Sequence, residues 1–145
     1  VNPRSKARQF AIQALYQSIL TGHEAAEIDK QFVAEHDMDK TDVHYFQEVL
    51  HQVVDHKLSL ADLMRDYLSR SFDSVDPVEQ AILLLGCYEM QYRPDIPYKV
   101  IINEAIELGK TFGAEDGHKF INGILDRVAA NIREDEVNAR RKKKK

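Results

Sequence analysis

The stretch Asp76-Pro77-Val78-Glu79 and the residues after it constrain this chain more than any other part. Asp76 can cap a helix and Pro77 suits the first helical position. Glu79 falls three residues after the cap, where a capping box places its acid. Residues 81–88, AILLLGCY, are then apolar almost all round. A helix with no polar face is buried on most sides. It is therefore the centre of its half of the molecule, and other helices must cover it. Arg93-Pro94 ends it.

The rest of the chain supplies those helices. The spacing predicts a first helix over residues 5–20, with Ser5 as N-cap and Gly22 as C-terminal stop. Ala7, Phe10, Ala11, Ala14 and Leu15 form its apolar face. Lys6, Gln9, Gln13, Tyr16 and Gln17 fall on the opposite arc, which carries no acid. A short helix follows over 24–35, with Ala25, Ile28 and Phe32 inward. A third begins after Asp39 and runs to about Leu68, with an expected kink near Ser59. Residues 69–74 are a connector. Pro97 opens a fifth helix whose Val100, Ile101, Ala105, Ile106 and Leu108 feed the core, and Gly113 ends it. A sixth starts near Glu115 or Asp116 and carries a wide apolar stripe of Phe120, Ile121, Ile124, Leu125, Val128 and Ile132. No stretch alternates at period two long enough for a strand.

The expected fold class is therefore all-α, two packed three-helix bundles. Residues 1–70 form an N-terminal helical subdomain and residues 74–134 a C-terminal one. Residues 135–145 are expected to be a basic, disordered tail.

Charge narrows the function. The formal net charge is −4, but the last six residues are all basic, and without them 14 Lys and Arg face 24 Asp and Glu. An acidic body argues against broad coating of nucleic acid, whereas basic ends allow a local phosphate contact. No apolar run is long enough for a membrane helix. The first residues lack the apolar segment of a secretory signal. The single Cys87 lies in the apolar helix and reads as packing. These features point to the cytoplasm.

No catalytic set emerges. Phosphate-binding glycine loops are absent. The six histidines are dispersed without matching thiol or carboxylate ligands, so no metal and no cofactor is expected. Asn103, Glu104 and Glu107 read as an exposed helix face rather than an acid–base pair. What remains is binding. Arg4, Lys6 and Arg8 cluster at a helix start, where cations oppose the helix dipole and helix stability does not explain them. Phosphate binding would, and Tyr16 on the same helix could stack on an unpaired base.

Two blocks carry a resemblance. Residues 8–16, RQFAIQALY, are similar to the opening motif of the NusB family, an Arg followed by A-x-Q-x-L-Y. Residues 100–128, VIINEAIELGKTFGAEDGHKFINGILDRV, resemble its most characteristic segment, with Pro97-Tyr98-Lys99-Val100, Asn103-Glu104-Ala105 and Lys119-Phe120-Ile121-Asn122-Gly123 in family order. The resemblance runs from about Arg4 to Ile132 and implies a fold of two three-helix bundles. The chain departs from the family pattern at Lys6, often Arg there, and in its basic C-terminal extension.

The resemblance also implies a function. NusB proteins join NusE, a small-subunit ribosomal protein, and the pair binds the single-stranded boxA element of nascent RNA. Within the RNA polymerase antitermination complex they promote read-through in ribosomal RNA operons. Carried over, the RNA-facing positions are Arg4, Lys6, Arg8, Tyr16, Asp116, Lys119 and Phe120, and Glu79 faces the partner. An antitermination factor, not an enzyme, is the expected reading. Two alternatives differ in class. A NusB-like accessory domain occurs in ribosomal RNA cytosine methyltransferases, but this chain has no room for a methyl-donor fold. The other is a helical adaptor without RNA contact.

Overall fold

Asp76 starts the central helix as expected. Its Oδ1 accepts from the Val78 and Glu79 N–H groups at 2.9 and 3.4 Å, with Pro77 in the first position. We describe the fold from a computed structural model of residues 2–143. Among these residues there are eight α-helices and no strand: α1 (Pro3–Thr21), α2 (Ala25–Glu35), α3 (Val43–Asp55), α4 (Lys57–Asp62), α5 (Pro77–Tyr92), α6 (Tyr98–Phe112), α7 (Gly117–Ile132) and α8 (Glu134–Lys143). The fold is all-α, with α1–α3 in one bundle and α5–α7 in the other.

Every residue of α5 from Gln80 to Met90 is buried. It packs against α1 on one side and α6 and α7 on the other. α1 also packs along α3, so α1 and α5 join the bundles, and one continuous apolar core runs through both. Burying side chains of this size is worth roughly 1.5–3 kcal/mol each. α5 therefore fixes the positions of α1, α6 and α7.

Several helix ends differ from expectation for identifiable reasons. α1 starts at Pro3, capped by Asn2, whose Oδ1 accepts from the Ser5 N–H at 2.7 Å. Asn-Pro combines a capping side chain with a residue suited to the first position, and it outcompetes Ser5. Gly22 ends α1 in the left-handed region, at φ 72°. The long third helix breaks at His56 rather than Ser59, within the polar run Asp55-His56-Lys57, and then tightens into a 3-10 turn over Arg65–Tyr67. The connector contains a second such turn, Phe72–Ser74.

The expected disordered tail is instead helical through Lys143; Lys144 and Lys145 lie outside the described residues. Acids Glu134, Asp135 and Glu136 occupy the first turn of α8 and four cations the last, the arrangement the helix dipole favours. Val137 is buried. Arg133, just before α8, donates to the carbonyls of Glu89, Met90, Arg93 and Ile96 and to Glu136. It thus caps carbonyls at and just beyond the end of α5, two of which, those of Glu89 and Arg93, also accept backbone N–H groups, and it ties the start of α8 to them.

Candidate nucleic-acid interface

Lys6, Gln13 and Tyr16 are exposed on the outer arc of α1, with Leu20 beyond them. The helical repeat aligns them in one strip, and the inward face, with Ala7, Ala11, Ala14 and Leu15 buried, keeps that strip outward. The strip offers one cation, amide hydrogen-bonding groups and an aromatic face.

Beside this strip, α1 and α6 enclose a groove of about 480 Å³. Asn2, Ser5 and Gln9 line one wall, and Val100, Asn103, Glu104, Glu107 and Thr111 the other. Ser5 Oγ donates to Glu104 Oε1 at 2.5 Å across it. Amide, hydroxyl and carboxylate groups around the apolar Val100 suit hydrogen bonding to the edges of unstacked bases. Glu104 is not the exposed helix-face acid of the sequence reading, since it closes this groove. Glu107 is exposed.

Arg8 does not reach the RNA-facing surface expected of it. It is only 3% exposed and faces inward. Its Nε donates to Glu89 Oε2 at 2.9 Å, and its Nη1 lies 3.3 Å from Glu104 Oε1. A guanidinium so engaged is an internal counter-ion and reaches no phosphate. Burial opposes its charge, but Glu89, Tyr45 and Glu104 hold its pKa above the ordinary value. Burial likewise pushes the Glu89 carboxyl up, against the pull of Arg8 and of the Tyr45 hydroxyl that donates to it. Burial and Glu89 together push the Tyr45 phenol far up.

Arg4 is half-buried. Its guanidinium lies 4.4 Å from the Tyr45 ring centre and 3.8 Å from Asp42. Arg93 lies 5.1 Å from the same ring and pairs with Glu48 and Asp95, each at 2.9 Å. Tyr45 is thus a hub for three arginines, and the N-terminal basic cluster is shared between core and surface. Of its three members, Lys6 is the exposed one.

The remaining expected positions meet at the start of α7. Asp116 sits in the left-handed region at φ 64°, a conformation in which non-glycine residues are uncommon. Its carboxylate lies 3.2 Å from Lys119 Nζ, and both are exposed, so the bridge adds little stability. Phe120 next to them is 36% exposed. Glu79 does not complete its capping box among the described residues. Its carboxylate instead lies over Gly117, where a Cβ would stand 3.1 Å from Oε2. Burial and Asp76 push this carboxyl up, partly offset by Arg70. Glu79, assigned to the partner by the sequence, therefore packs on Gly117, the residue after Asp116, so the two assigned surfaces approach each other at the start of α7.

Sequence reasoning missed the Tyr45–Glu89–Arg93 group. The signal was present: Glu89 is the one acid in an otherwise apolar run, and a buried carboxylate requires a cation. Among the described residues no three metal-ligating side chains converge, and no helix is long and apolar enough to cross a membrane. His51 pairs with Asp29 at 2.7 Å.

Comparison with known proteins places this geometry. The NusB family pattern matches residues 5–130. Over 130 residues the chain is 50% identical to the transcription antitermination protein NusB of Shewanella piezotolerans, covering 90% of this chain and 96% of that one. The fold superposes on T. maritima NusB with a TM-score of 0.79 at 29% identity, covering 90% and 92% of the two chains. It superposes on a structure of antitermination factors NusB and NusE in complex with double-stranded RNA with a TM-score of 0.76 at 25% identity, covering 86% and 93%. The chain belongs to the NusB family.

Proposed function

We propose that this protein is a transcription antitermination factor that binds boxA RNA of ribosomal RNA operons as a heterodimer with NusE. The observation that carries this reading is the 50% identity, over nearly the full length of both chains, to a protein named for transcription antitermination. A solved relative with the same fold is described in complex with NusE and RNA. The exposed strip of Lys6, Gln13 and Tyr16, free of acids, and the polar groove beside it supply the surface such a role requires.

RNA contact is assigned to Lys6 and Tyr16, with Arg4 at the edge and Asp116, Lys119 and Phe120 at the start of α7. Cations hold phosphates and the aromatic rings stack on bases. Glu79 is assigned to NusE. The neighbourhood of Glu79 and Asp116 suggests that RNA and partner meet there, so that one stabilises the other. The protein is a binding component rather than a catalyst, and it works in the cytoplasm beside RNA polymerase.

The test is a titration of boxA RNA and a scrambled RNA against the protein, with and without NusE. Preference for boxA, strengthened by NusE, is expected. Equal binding of both RNAs under both conditions would refute the reading.

A further inference from the structure

Two adjoining depressions, of about 270 and 220 Å³, lie between the start of α6 and α8. Lys99, Arg140, Arg141 and Lys143 line them. None of these four cations has an ion-pair partner among the described residues. Two acids are near. Glu136 is already engaged by Arg133 at 2.6 Å and by the Tyr98 N–H at 2.7 Å. Asp126 stands alone on one wall. The groove is therefore strongly positive on a body that is otherwise acidic.

Helix stability accounts for only part of this charge. The cations at the end of α8 complement its dipole, but that benefit is confined to the last turn, and consecutive like charges repel. Lys99 is the opposite case. It sits in the first turn of α6, where a cation opposes the dipole. Its ammonium lies 5.8 Å from the Tyr98 ring centre, a weak offset, and its placement facing three cations of another helix favours an anionic ligand between them.

The position of the groove names the ligand. Val100, on the wall of the α1–α6 groove, is the residue next to Lys99, on the wall of the basic groove. The two grooves therefore flank the same turn of α6.

We propose that the α6–α8 groove is a second RNA contact, which binds backbone phosphates of the strand as it leaves the α1–α6 groove. The inference rests on the RNA-binding reading above and extends it to a surface without base recognition. Contacts of this kind add affinity for length, not sequence, and weaken with salt.

The experiment compares the full chain with a variant carrying Lys99→Ala, Arg140→Ala, Arg141→Ala and Lys143→Ala. Alanine preserves helix propensity, and an unchanged circular dichroism spectrum and melting temperature establish that the variant is folded. Two probes are titrated: a boxA core RNA, and the same core extended on both sides by roughly 10 nucleotides, within the usual span of single-strand grooves. The unaltered protein is expected to bind the extended RNA about tenfold tighter than the core at low salt. The variant should bind the core as before, lose the gain from extension, and show a log–log salt slope shallower by about 0.7 per lost phosphate contact. A variant that keeps both the gain and the slope overturns the proposal, as does an unaltered protein that gains nothing from extension. Loss of binding to phosphatidylserine vesicles by the variant, with RNA binding unchanged, overturns it in favour of a membrane contact. Failure of the unaltered protein to bind even the core would instead remove the RNA-binding reading itself, and this proposal with it.

Discussion

Arg8 on α1 donates through Nε to Glu89 Oε2 on α5 at 2.9 Å, with both side chains almost wholly buried. This bond lies between the helices that join the two bundles. Glu104 of α6 and Tyr45 of α3 complete the group, so four helices meet on the Arg8 guanidinium and its acids. The same residues underlie the α1–α6 groove, because Glu104 faces Arg8 on one side and Ser5 on the other.

Removing one partner should unfold more than it exposes. Arg8→Ala leaves the Glu89 carboxyl buried without its cation, and Glu89→Ala leaves the Arg8 guanidinium with Glu104 as its one carboxylate. Each is expected to cost about 3–5 kcal/mol. The double variant should cost clearly less than the two singles combined, because neither charge is then stranded. Urea unfolding of the four proteins measures the coupling. Additive losses would show that the pair is not a unit.

Cys87 lies fully buried in the middle of α5, and burial pushes its thiol up to about 12. At neutral pH it is neither accessible nor ionised, and the thiolate is the reactive form. A thiol reagent should therefore label the native protein only as fast as it opens, and the unfolded protein at once. Rapid labelling without denaturant would mean that α5 is not the closed centre described above.

The fold was legible in the sequence because the apolar pattern is strong where it matters. The all-round apolar face of α5 and the stripe of Ile121, Ile124, Leu125 and Val128 on α7 identify the buried helices directly. Local competition decided the ends. Asn2-Pro3 displaced Ser5 as the start of α1, and the dipole-matched charges of α8 ordered a segment whose composition reads as solvated. The site was legible only in part. Lys6 and Arg8 are two residues apart and look alike as a basic cluster, yet a helix turns them to opposite sides. The spacing to Ala11, Ile12 and Leu15 turns Arg8 inward, but the acid that makes its burial tolerable is Glu89, 81 positions later, and no local rule contains that pairing.

Glu79 should carry a pH signature. Burial and the neighbouring Asp76 raise its carboxyl above the ordinary value. A carboxyl raised on folding binds its proton more tightly in the folded state. Its contribution is most favourable below the ordinary glutamate range and is lost as pH rises through the raised value. Glu79→Gln removes this titration. The variant should gain on the unaltered protein as pH rises from about 4 to 7, and should be the more stable at neutral pH. The same variant should bind NusE more weakly, since an acid kept at a stability cost is expected to serve function. Parallel pH profiles of melting temperature would remove the first claim, and unchanged NusE affinity the second.

Lys6 and Arg8 permit a sharper test of the RNA surface than removal of the whole basic cluster. Lys6 is exposed and Arg8 is not, so the two should separate binding from stability. Lys6→Ala is expected to leave the unfolding midpoint almost unchanged, as surface substitutions do. It should weaken boxA binding and reduce the salt slope by about 0.7, the value of one single-strand phosphate contact. Tyr16→Ala should cost about 1–3 kcal/mol of binding by loss of stacking, with no change in salt slope, because no cation is removed. Arg8→Ala should do the reverse of Lys6→Ala. Well below its lowered melting temperature it should retain the salt slope, while its stability falls. Binding isotherms at three salt concentrations, read beside urea unfolding curves, distinguish all three. A salt slope reduced by Arg8→Ala but not by Lys6→Ala would place the phosphate contact on the wrong side of α1, and with it the strip proposed as the RNA surface.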